Sequence, residues 1–142
     1  MNANTTVWLW PAVAMAALTF LVWCRLYYVR LGEMRRRRIP AQALANSADV
    51  AAKLSDTRAS DNFRNLFELP VLFYAGTILA AQVSSVSSTM LALAWSFVVL
   101  RAAHSLIHCT FNHVMSRFVT YLLATFSLWI FWALLAWRIW QA

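Results

Sequence analysis

Four stretches of this chain, residues 7–28, 66–86, 90–111 and 118–139, are apolar for long enough to cross a lipid bilayer. A spanning helix needs roughly 20 apolar residues. The runs are too long, and alternate too little, to be strands of a small barrel. Helices also close their own backbone hydrogen bonds where there is no water to do so. Composition points the same way. Hydrophobic residues make up 62% of the 142, charged residues 12%, and there are only two glycines. That leaves too little polar surface to cover a small soluble fold. The expected fold is an all-α, polytopic membrane protein, a four-transmembrane-helix bundle in one domain over residues 1–142.

The charges orient such a bundle. Twelve Lys and Arg stand against five Asp and Glu, a formal charge of +7. Arg35, Arg36, Arg37, Arg38, Lys53, Arg58 and Arg64 lie between the first and second runs. Arg25, Arg30 and Arg117 sit at span ends on that side, and Arg138 at the other. Basic residues mark the cytoplasmic loop, so the segment 32–57 is expected inside and both termini outside. Beside a span, "RRRR" fixes topology and touches anionic lipid head groups; no nucleic-acid partner is expected. The leader "MNANTT" has no positive charge and the first run outlasts a normal signal core, so a retained anchor is expected. Cys24 and Cys109 fall near the reducing side, where small buried hydrophobes are a better reading than a disulfide. The expected location is a multi-pass place in a bacterial inner membrane.

Residues 32–57 form the one long connection. Pro40 breaks it early, and a short surface helix is expected over 41–54. Ser55 or Asp56 suits the cap of the next helix, which should begin near Thr57. "SSVSS", at 84–88, reads as a short outer turn, and 112–116 as a second short connection.

Two polar stripes enter the apolar runs. Asp61, Asn65 and Glu68 stand at i, i+4 and i+7, one helical face. Pro70 follows and should bend the helix. On the third run, Arg101, His104, His108 and Asn112 stand at i, i+3, i+7 and i+11, again one face. Arg101 falls near mid-bilayer, where an unpaired arginine costs at least ~2.5–3.5 kcal/mol. Glu68, the one carboxylate within the spans, is its expected partner. Such residues face the bundle interior or a water-filled cavity and are functional candidates. A purely structural network gluing helices together is the alternative. His104 and His108 at i, i+4 could ligate a metal or haem, but no carboxylate or cysteine joins them at a clear ligand spacing, so no metal is expected. There is no Gly-rich phosphate loop, serine nucleophile elbow or CxxC.

The segments "NFRNLFELPVLFY" and "RAAHSLIHCTFNHVMSRF" resemble the N-x-x-E-x-x-P and R-x-x-H-x-x-x-(Y/H)-x-x-x-N patterns of the MAPEG family, the membrane-associated proteins in eicosanoid and glutathione metabolism. The resemblance implies a homotrimer of four-helix protomers with glutathione as co-substrate in a cleft open to the cytoplasmic half of the bilayer. Its thiol would be conjugated to lipophilic electrophiles, or would reduce lipid peroxides. By position, Asn65 and Glu68 match the family's glutathione contacts on helix two and Arg101 the basic residue on helix three. His104, His108 and Asn112 complete that stripe, with His108 where an aromatic hydroxyl is common. Arg117 matches an arginine thought to stabilise the thiolate, the candidate catalytic group, and Arg25 resembles an arginine ending helix one. Asp61 stands where glutathione-using members carry arginine. A family member binding another small ligand, or a non-catalytic scaffold or partner subunit, is the competing reading.

Overall fold

Every regular element among the described residues (6, 7, 9–82 and 87–141 of a computed structural model) is helical. The chain runs through α1 (Leu9–Arg37), a 3-10 turn (Ala41–Leu44), α2 (Ser47–Lys53), α3 (Arg58–Asn65), α4 (Leu69–Gln82), α5 (Ser88–Cys109) and α6 (Val114–Gln141). Three helices, α1, α5 and α6, are long and apolar enough to cross a membrane. Large apolar side chains such as Trp10, Phe20, Leu21, Val99, Leu106 and Phe126 are exposed along them, the arrangement expected where the solvent is lipid.

The second apolar run is not one helix. It opens with a turn at 66–68 that parts α3 from the 14-residue α4, which is about 21 Å long at 1.5 Å per residue. Pro70 has no N–H for the Leu66 carbonyl, so the α pattern cannot pass through. Tighter i→i+3 bonds replace it, from Phe67 N–H to Arg64 (2.9 Å), Glu68 to Asn65 (3.4 Å) and Val71 to Glu68 (3.2 Å). The expected bend is therefore a break. The "SSVSS" turn, over 84–86, and the leader, over 1–5, lie outside the described residues.

The first helix outlasts its apolar run by more than two turns, passing Gly32, where the loop was expected to start. It stops at Arg38, which adopts a left-handed φ of 53°. Ile39 N–H bonds back to Met34 (3.0 Å) and Arg38 N–H to Arg35 (3.4 Å), the two bonds of a Schellman end. Arg35, Arg36 and Arg37 in the last turn favour the negative end of the helix dipole. Pro40 follows, and the short helix expected over 41–54 is present as the 3-10 turn and α2. Buried Glu33 holds the connector to α1, accepting from the Ser55 N–H (2.8 Å), the Ser55 hydroxyl (2.8 Å) and Arg37 Nη1 (2.7 Å). Ser55 is thus committed to Glu33 and does not cap α3. Thr57 holds the cap position, and Asp56 accepts from the Arg58 N–H at 3.1 Å.

The interior is apolar and tight. Met15, Phe73, Ala94, Phe97 and Ala124 have no exposed surface, and the Phe73 and Phe97 rings stack at 4.6 Å. The α5–α6 pair packs most extensively. Gly76 lets α4 approach α6 closely, since a Cβ there would meet Phe131 Cε1 at 2.9 Å. At the other end of α5, two cations from elsewhere in the chain close the helix. Arg25 Nη2 donates to the Cys109 carbonyl at 2.7 Å, and the Arg58 guanidinium meets the Thr110 carbonyl. These are helix-end carbonyls that no i+4 amide satisfies.

Candidate functional site

The break before Pro70 shapes the site. In an unbroken helix the Asn65 carbonyl would receive the Leu69 N–H. Here it takes a long bond from Glu68 N–H and a guanidinium bond from α5. Arg101, fully buried, donates through Nη2 to that carbonyl (2.9 Å) and to the Asn65 side-chain oxygen (2.5 Å). Its guanidinium carbon lies 5.6 Å from the Tyr121 ring centroid, within range of a cation–π contact. Asn65 Nδ2 donates to Glu68 Oε2 at 3.1 Å. So the expected Arg101–Glu68 pair is not formed among the described residues; Asn65 stands between them. The physical reason is the tight turn, which frees a backbone acceptor for the arginine and leaves Glu68 exposed.

On the far side of Glu68 lies a cavity of about 460 Å³ between α3, α5 and α6. It gathers five of the eight expected site residues: Asn65, Glu68, His104, His108 and Arg117. Asp61 and Arg64 join them from α3, Val114 and Phe118 form an apolar wall from α6, and Tyr121 lines the cavity beside them. His104 Nδ1 lies 3.0 Å from the Arg117 carbonyl. A carbonyl only accepts, so Nδ1 carries the proton. The His104 and His108 rings meet edge-on, centroids 5.6 Å apart.

The other three expected residues sit outside the cavity lining. Arg101 lies behind Asn65. Asn112 holds Arg117, its Oδ1 accepting from Arg117 Nη1 at 2.6 Å. It does so from a left-handed φ of 51°, which asparagine tolerates. Arg25 lines a separate apolar groove with Leu18, Val22 and Leu106. Tyr121 was not anticipated. Its signal was its place four residues after Arg117, a polar ring on the same face of an apolar helix. Among the described residues, no three of His, Cys, Asp and Glu come together as metal ligands.

Long apolar-faced helices with an open polar cleft between α3, α5 and α6, and a buried arginine behind it, define an integral membrane protein with a polar site. Residues 8–137 match the MAPEG family, and the chain belongs to it. No protein of curated function and no solved structure matches it.

Proposed function

We propose that the chain is a glutathione-dependent transferase or peroxidase acting on lipophilic substrates. The observation that carries the reading is one cavity uniting Asn65, Glu68, His104, His108 and Arg117. Arg117 and Arg64 supply guanidiniums for carboxylates, and Glu68 a carboxylate for an ammonium. A guanidinium beside a thiol raises its thiolate fraction. The thiolate then attacks an electrophilic carbon and expels its leaving group. In the peroxidase version two thiols become a disulfide while a hydroperoxide becomes alcohol and water. The apolar wall of Val114 and Phe118 suits a second substrate arriving from the bilayer.

The proposed setting is a four-span bundle with α4 as its shortest member, termini outward and the 38–57 connector cytoplasmic. It sits in a bacterial inner membrane among anionic lipids, as a homotrimer in which Arg25 serves a neighbouring site. The test uses detergent-purified protein. Glutathione should raise its melting temperature and support conjugation of a generic aryl halide. Neither effect at saturating glutathione would remove the proposal. One observation favours a second, structural reading of half the pattern: Arg101 is wholly buried on Asn65 and does not line the cavity.

A further inference from the structure

A second space, of about 320 Å³, lies between α1 and α3. Trp23, Tyr27 and Arg30 line it from α1, and Phe63 and Arg64 from α3. Trp23, Tyr27 and Arg30 stand at i, i+4 and i+7, one helical face. The polar cavity balances two carboxylates against two guanidiniums. This groove is lined by two guanidiniums and no carboxylate.

The carboxylates one turn away on each helix are held elsewhere. Glu33 accepts from Ser55 and Arg37, and Asp61 from the Thr57 hydroxyl. Arg64 donates to the neutral Ser47 hydroxyl at 2.7 Å. Half-buried Arg30 makes no hydrogen bond or ion pair among the described residues. Guanidiniums so placed keep free donors in the fork geometry that suits phosphate and carboxylate.

Depth narrows the choice of anion. Arg30 follows directly on the first apolar run, and Trp23 lies about two turns deeper. The exposed Trp23 and Tyr27 rings, centroids 4.9 Å apart, are of the kind that gathers at the membrane–water interface. The groove is thus cationic at head-group level and aromatic toward the bilayer.

We propose that it holds an anionic phospholipid, the phosphodiester between Arg30 and Arg64 and the glycerol and first chain carbons along Trp23, Tyr27 and Phe63. Basic pockets between spanning helices take anionic head groups in this way. A zwitterionic lipid fits worse, because its ammonium would enter a space that already holds two cations. The site involves no thiol and is independent of the reading above. Arg64 also lines the polar cavity, so Arg30 is the cation particular to this groove.

Thermal-shift titration of the delipidated, detergent-purified chain tests this with phosphatidylglycerol, phosphatidylcholine of the same chains, and glycerol phosphate. Phosphatidylglycerol should raise the melting temperature saturably, and the other two should not. Arg30→Gln should weaken the apparent phosphatidylglycerol affinity by about tenfold, the worth of one charge-assisted contact. Arg36→Gln removes the same charge from the exposed end of α1, outside the groove, and should leave the affinity unchanged. Equal losses in the two variants would mean general attraction to a basic helix end and would overturn the proposal. So would an equal response to phosphatidylcholine or glycerol phosphate, or no response to any of the three in wild type.

Discussion

The Nη2 of Arg101 donates to both oxygens of Asn65, at 2.9 Å to the carbonyl and 2.5 Å to the side chain. A wholly buried guanidinium thus rests on a neutral residue whose amide reaches the carboxylate beyond. Replacing Asn65 by Leu strands the guanidinium on the backbone carbonyl alone, and losing a hydrogen bond to a buried charged group costs about 1.5–3 kcal/mol. Asn65→Leu should lower the thermal midpoint in detergent severely. Arg101→Met in the same chain should recover much of the loss, because the stranded charge is gone. Strict additivity of the two changes would show that the contact carries no energy.

Gly76 faces Phe131 Cε1 at 2.9 Å from where a Cβ would stand, and Phe131 is 1% exposed, with no room to yield. Gly76→Ala should therefore destabilise by about 1–3 kcal/mol, the usual cost of overpacking. Thermal unfolding reads this directly. An unchanged midpoint would mean that α4 and α6 can move apart freely.

Arg117 and Asn112 separate chemistry from positioning. Arg117→Ala should reduce glutathione conjugation by roughly 10²–10³-fold, as loss of a preorganised stabilising group does. Asn112→Gly keeps the left-handed backbone but removes the 2.6 Å bond to Arg117. Its activity should fall by less, with the melting temperature nearly unchanged. A wild-type rate in both variants would clear this pair of any part in the reaction.

Glu33 is 2% exposed and accepts three hydrogen bonds, two of them from Ser55. Glu33→Ala leaves the Ser55 N–H without its partner, a loss of about 1–3 kcal/mol if it stays buried. The connector should then detach locally while the spans remain folded. Trypsin should cut after Lys53 faster than in wild type, with little change in global melting.

The Arg58 guanidinium holds the Asp56 carboxyl below its ordinary range. A depressed folded value means that the stabilisation is fully present above the unfolded value, about 3.9, and is lost as pH falls through the folded one. Below pH ~4, wild type should lose melting temperature more steeply than Asp56→Asn. Parallel acid limbs would place the effect elsewhere.

The long helices were legible because composition and length alone specify them. Pro70 was legible too, but its consequence was not. The apolar residues around 66–68 hide a turn, and an apolar run does not say whether its backbone is continuous. Matching Arg101 to Glu68 followed from counting charges, and counting charges overlooks the Asn65 carbonyl that the turn at 66–68 sets free. Arg38 gave no warning of its left-handed backbone, since glycine is the usual stop and Gly32 sits inside α1. Most of the cavity was readable because its residues keep helical spacing on two faces. Tyr121 was not, being the third face that only packing brings to the other two.

The arginine closures at the end of α5 also impose an order of events. Arg25 and Arg58 are synthesised long before Cys109 and Thr110, whose carbonyls receive them. During biogenesis both guanidiniums must find other partners until the second long helix, α5, is complete. These closures form only after translation has passed residue 110.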